Sequence, residues 1–266
     1  MTAHLVDSRW FLSRGGELMA PARIICFPHG GGDPRAYTDW QSHLGAGADI
    51  LAVCIPGRAR RGDERAPASI EELAEGAAGA VAMVADRPTY LFGHSLGAVV
   101  AFEVARRLRG NPAVRHLVAS GCAAPSRLPT DYLRWAATLD GPAFAEAMVR
   151  FEGMAAEIAV DPDLQEVLLP DLRADCRLIA EYRYQRDAQL DIGLSLVNGR
   201  ADWHLSDELL APWHDEVTKA PESHWRDGGH FYFADRPAAV LDVLRALLDA
   251  GRPGGRAPAD DHTEVI

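Results

Sequence analysis

Five residues, Gly93-His94-Ser95-Leu96-Gly97, constrain this chain more than any other stretch. A short β-prone apolar run, Tyr90-Leu91-Phe92, leads into them, and a helical pattern from Leu96 to about Leu108 leads out. A serine flanked by glycines two places before and two after, set between a strand and a helix, is the pattern of a tight strand-to-helix turn that lifts a serine hydroxyl above a sheet. The glycines are needed because the backbone approaches its neighbours too closely there for a Cβ. The Leu96 amide, at the start of the helix, is placed to face a developing oxyanion.

The flanking segments extend the pattern. Arg23-Ile24-Ile25-Cys26-Phe27 is an apolar run stopped by Pro28, and Ile50-Leu51-Ala52-Val53-Cys54-Ile55 is another stopped by Pro56-Gly57. Neither alternates in polarity, as expected of strands buried on both faces of a parallel sheet. Ser69-Ile70-Glu71-Glu72 reads as a capping box opening a helix to about Ala85. Arg115-His116-Leu117-Val118-Ala119-Ser120 is the next strand, so strands and helices alternate in the α/β manner. The rhythm breaks over about 125–190, where helical patterns at 132–139, 142–158 and 163–184 occur without a convincing strand. That is far more chain than a crossover needs. It predicts a helical insertion over the sheet edge, either a lid or an added packing layer. Strand character returns at 192–197, a helix is expected over 207–217, and a short strand then ends in Gly228-Gly229-His230-Phe231. Asp235-Arg236-Pro237 opens the last helix, which Gly251 ends. One domain over 1–250 is expected, with a disordered Pro/Gly-rich tail over 251–266.

A serine hydroxyl becomes a nucleophile when a histidine takes its proton, and a carboxylate holds that histidine in the required tautomer. His230, after two glycines and before the final helix, is the candidate base. His94 lies within the elbow and cannot easily turn back onto Ser95, while His204, His214 and His224 sit in polar contexts expected at the surface. Asp202, in the turn after the 192–197 strand, is the candidate acid, with Asp207 the alternative. The loop His29-Gly30-Gly31-Gly32 after the first apolar strand offers the Gly30 amide as the second oxyanion donor beside that of Leu96.

Composition bounds the rest. A formal net charge of −11 argues against a nucleic-acid partner. Neither a basic-plus-apolar leader nor an apolar run of bilayer length is present, so a cytoplasmic protein without membrane association is expected. Cys26, Cys54, Cys122 and Cys176 are widely spaced and read as small buried hydrophobes, and no metal-binding spacing occurs.

Taken in order, Phe27-Pro28-His29-Gly30-Gly31, Pro56-Gly57-Arg58, the Gly93–Ala98 elbow, Leu172-Arg173-Ala174-Asp175 with Tyr182, Gly199-x-x-Asp202 and Gly228-Gly229-His230-Phe231 resemble the type II thioesterases that accompany polyketide synthases and non-ribosomal peptide synthetases. The resemblance spans about residues 8–250. It implies an α/β-hydrolase fold with a helical lid, and hydrolysis of acyl groups from the phosphopantetheine arm of acyl or peptidyl carrier proteins, removing aberrant or stalled units. It also implies Ser95 as nucleophile, Asp202 as acid, His230 as base, and the Gly30 and Leu96 amides as oxyanion hole. Where Gly30 and Leu96 stand, that family more often has alanine and methionine; both positions act through the backbone. No metal or organic cofactor is implied, and a monomer is expected. Carrier proteins of this kind are generally acidic, so docking would need a local patch: Arg58, Arg60, Arg61 and Arg65, or Arg127 and Arg134. A general carboxylesterase, a cyclising thioesterase and a non-catalytic hydrolase-fold binding protein are the alternatives.

Overall fold

The computed structural model describes residues 9–14, 19–152, 158 and 160–251. Its centre is a seven-stranded sheet: β1 (Phe11–Leu12), β2 (Arg23–Phe27), β3 (Asp49–Val53), β4 (Thr89–His94), β5 (Val114–Ser120), β6 (Gly193–Gly199) and β7 (Glu222–Arg226), in spatial order β1-β3-β2-β4-β5-β6-β7. Six strands run parallel, with Ile24 opposite both Ile50 of β3 and Tyr90 of β4. β1, two residues with no strand signature in the sequence, pairs antiparallel at the edge of the sheet, Phe11 opposite Val53.

The flat hydrophobicity of the central strands follows from their surroundings. Ile25 and Phe27 of β2 face one core with Leu51 and Leu91, while Ile24 and Cys26 face another with Ile50 and Phe92. The first core is closed by α3 (Ile70–Val84) and α4 (Leu96–Arg107). The second is closed by α1 (Arg35–Thr38), α2 (Trp40–Leu44) and α9 (Ala238–Ala250). Both faces are dry, so alternation would place polar groups in apolar contact. Cys26, Cys54, Cys122 and Cys176 are free and buried.

Local signals mostly act where expected. Ser69 Oγ accepts from Glu72 N–H at 3.1 Å at the start of α3. The reciprocal arm of the capping box lands one residue early, because the Glu72 carboxylate accepts from the Ala68 amide at 2.7 Å. The helix expected over 207–217 is instead α8 (Asp207–Leu210) followed by a 3-10 segment, Ala211–Glu216. Pro212 lacks the N–H that would continue the α ladder.

Between β5 and β6 lie α5 (Asp131–Ala136), α6 (Gly141–Arg150) and α7 (Pro162–Glu181). They share a small core of their own, Ala136, Phe144, Ala145, Ala147, Met148 and Cys176. Part of the helix expected over 142–158 lies outside the described residues, as does the tail beyond Gly251. No helix among the described residues is long and apolar enough to cross a membrane.

Two of the arginines expected to offer a docking patch, Arg58 and Arg61, are turned inward. Arg58 makes a two-pronged bond to Asp175 of α7, at 2.7 and 2.6 Å. Arg61 is buried, pairs with Glu64, donates to the Cys54 carbonyl at 3.0 Å and lies over the Trp10 ring. Arg60, Arg65, Arg127 and Arg134 are exposed, with Arg65 paired to Glu72 and Arg134 to Asp131 at the surface. The cluster is close in sequence, but two of its guanidiniums point inward to hold loops together.

Candidate active site

The elbow forms because nothing larger than glycine fits at its two ends. A Cβ on Gly93 would run into the Gly97 carbonyl, and one on Gly97 into the carbonyls of Phe27 and Pro28. Ser95 between them holds φ +54° and ψ −119°, a conformation a residue with a side chain keeps only when its surroundings impose it. Its amide is fixed to the Ser120 carbonyl at 2.8 Å. Ser95 caps α4, so the Leu96 N–H belongs to the first-turn amides that have no partner within the helix.

Asp202 and His230 come from the ends of neighbouring strands. Past β6 and β7 the two chains stay linked, with Arg200 N–H donating to the Arg226 carbonyl at 2.7 Å and Ala201 N–H to that of Gly228 at 2.9 Å. Gly199 permits this, since a Cβ there would meet the Gly229 carbonyl. Asp202 Oδ2 lies 2.7 Å from His230 Nδ1, with both side chains buried, at 0% and 2% exposure. Asp202 Oδ1 accepts the His204 amide at 3.1 Å. A carboxylate held by a backbone N–H on one oxygen and a ring nitrogen on the other fixes the imidazole with Nε2 turned away. That Nε2 is buried without a protein partner. It belongs to a ring that lines, with Ser95, Leu96 and Gly30, a narrow apolar cavity of about 40 Å³. Ser95 and His230 also line a second cavity of about 30 Å³, bordered by Gly121 and Cys122. Asp207, the alternative acid, is exposed in the first turn of α8.

The loop after β2 is tied down from the insertion. Gly31, at φ +70°, donates its N–H to Asp175 Oδ2 at 2.8 Å, and Arg58 clamps the same carboxylate. His29 Nδ1 lies 2.9 Å from the Tyr37 hydroxyl. A Cβ on Gly30 would have Asp175 Cβ at 3.6 Å as its nearest neighbour, an ordinary contact.

Aromatic rings surround the imidazole. His94 sits behind it at 4.7 Å between centroids and is held by Ser120 Oγ, 2.8 Å from its Nδ1; that oxygen in turn lies 2.8 Å from the Tyr232 hydroxyl. His204, expected at the surface, is instead half-buried over the site: its ring lies 3.8 Å from that of Phe151 and 5.7 Å from His230. Burial depresses the histidines around the base, His29 and His204 to about 4 and His94 well below its ordinary value. They are therefore neutral at pH 7. Among the described residues no group of three or more His, Cys, Asp or Glu could hold a metal ion.

The Arg58–Asp175–Gly31 link, the Ser120–His94 support and the placement of His204 were among the features that escaped the sequence. Only the first had a legible trace, since Pro56-Gly57-Arg58 and Leu172-Arg173-Ala174-Asp175 stand out as motifs without revealing that they meet.

The sequence and the fold match known proteins. A model of the thioesterase domain matches residues 22–248. The chain is 31% identical over 260 residues to a probable cadicidin biosynthesis thioesterase from Streptomyces griseus, covering 97% of this chain and 70% of that one. Among solved structures, the type II thioesterase BorB from the borrelidin biosynthetic cluster has a TM-score of 0.79 at 29% identity, over 90% of this chain and 97% of that chain. The RedJ thioesterase from the prodiginine pathway of Streptomyces coelicolor has a TM-score of 0.77 at 32% identity, over 86% and 85%. With an α/β-hydrolase sheet, a serine elbow and a matching stretch that runs from β2 into α9, this chain belongs to the thioesterase-domain family.

Proposed function

We propose that this chain is a type II thioesterase that hydrolyses acyl thioesters carried on the phosphopantetheine arm of acyl or peptidyl carrier proteins, clearing aberrant or stalled units in polyketide or non-ribosomal peptide synthesis. The observation that carries the reading is the Asp202–His230 bond of 2.7 Å beside Ser95, at the floor of an apolar cavity in a thioesterase-family chain.

His230 Nε2 takes the proton of the Ser95 hydroxyl as its oxygen attacks the thioester carbonyl, and Asp202 stabilises the imidazolium that forms. The Gly30 and Leu96 amides donate to the oxyanion; losing one such donor typically costs about 10²–10³ in rate. When the carbonyl re-forms, the C–S bond breaks and the arm leaves as a thiol, its sulfur taking the proton held by the His230 imidazolium and so returning the base to its neutral form. Water, deprotonated in turn by His230, then attacks the acyl-serine, releasing the acid and restoring the hydroxyl. No step requires a metal or an organic cofactor. Leu133, Met148, Phe151 and Leu172 line the cavity with apolar surface suited to an acyl chain.

The test is a hydrolysis panel of acylated carrier proteins beside aryl esters of the same acyl groups. Release from the carriers, lost by about 10³-fold or more in Ser95→Ala, is expected. Preference for the aryl esters would make the chain a general esterase.

A further inference from the structure

Glu152, at the end of α6, is not part of the proposed chemistry, yet it reaches the loop that carries His230. Its Oε2 accepts the His230 backbone N–H at 2.7 Å, across 78 residues of sequence. The contact is built from both sides. Glu152 holds φ +59°, in the left-handed region that a residue with a Cβ avoids unless its surroundings hold it there. Gly229 provides the clearance, because a Cβ on it would run into both Glu152 carboxylate oxygens. The preceding residue, Phe151, sets its ring 4.8 Å from the His230 imidazole. One turn of the insertion therefore touches the histidine twice, on the ring and on the main chain.

We propose that Glu152 is a positioning residue for the base: its carboxylate fixes the His230 main chain so that the imidazole, already held at Nδ1 by Asp202, presents Nε2 to Ser95. The proposal rests on the reading of His230 as the base. An Nδ1 bond alone leaves the ring free to swing with its loop about Asp202. A second anchor on the backbone amide removes that motion, and displacements of about 1 Å at a reacting group can cost about 10²-fold in rate. A carboxylate facing a main-chain N–H acts as an acceptor, so a carboxamide can replace it. Glu152 is exposed at the protein surface, so truncating it opens no core.

The test compares Glu152→Ala, Glu152→Gln and wild type on the hexanoyl thioester of N-acetylcysteamine, with melting temperature and the rate of fluorophosphonate labelling of Ser95 measured alongside. Glu152→Ala should lose about ten- to a hundredfold in kcat and slow labelling in parallel, with KM and melting temperature near wild type. Glu152→Gln should keep kcat within about threefold, since its amide oxygen accepts the same bond. Wild-type kcat in the alanine variant overturns the proposal. So does a loss confined to KM, or a glutamine variant as slow as alanine. If wild type labels at Ser95 but hydrolyses no thioester, the functional reading has failed while the labelling rates still decide the role of Glu152.

Discussion

Single atoms decide most of what happens at Ser95. Gly93 and Gly97 are glycines because backbone carbonyls occupy the space of a Cβ, whereas Gly30 has only side-chain carbons beyond 3.5 Å around the same position. The three glycines therefore differ in what they tolerate. Gly30→Ala is expected to fold and to keep kcat within about threefold, because its proposed donor is the backbone N–H. Gly97→Ala is expected to lose soluble folded protein. Circular dichroism melts and thioester assays on the two variants check both, and an inactive but folded Gly30→Ala would count against the oxyanion role. The same scale explains why Ser95, His230 and Asp202 were readable from local pattern: each sits beside a strand end with glycines close by. Glu152 and His204 were not readable, because a glutamate after a helix and a histidine in a polar turn carry no local mark of the partner they meet.

At the scale of elements, the insertion and the sheet meet through an ion pair as well as through apolar contact. Arg58 follows β3, Asp175 belongs to α7, and their side chains are 10% and 1% exposed. Breaking one side of such a pair leaves a charge stranded away from water. Arg58→Ala is therefore expected to destabilise the fold by about 3–5 kcal/mol. Arg58→Lys should recover little, because a single ammonium cannot reproduce the two-pronged geometry. Urea unfolding of both variants measures the difference; a wild-type midpoint in Arg58→Ala would show that the pair is dispensable. Asp175 also takes the Gly31 amide, so loosening the pair reaches the loop of the proposed oxyanion donor.

For the whole molecule, the buried and half-buried histidines set an acid limit. Burial holds His29, His116 and His204 at about 4 when folded, against an ordinary value of 6.5. With the folded value lowered, the unfolded chain binds protons over that interval that the folded chain refuses. The stability contributed by keeping them neutral is complete above about pH 6.5 and is lost as pH falls toward about 4. Melting temperature should therefore be flat in these groups above neutrality and drop steadily below about pH 6.5. A flat profile down to about pH 4.5 would mean that water reaches these rings in the folded protein.

The chain by itself determined the strand-and-helix alternation, the elbow and the residues proposed for the chemistry, because these rest on short-range sterics and on runs of apolar side chains that no other arrangement can bury. Tertiary structure alone decided that β1 would pair antiparallel at the edge, that Arg58 would turn inward to Asp175, and that Glu152 would grip the main chain of His230. Each of those depends on two segments far apart in sequence arriving at one place, and a carboxylate or guanidinium has no preferred partner until packing supplies one.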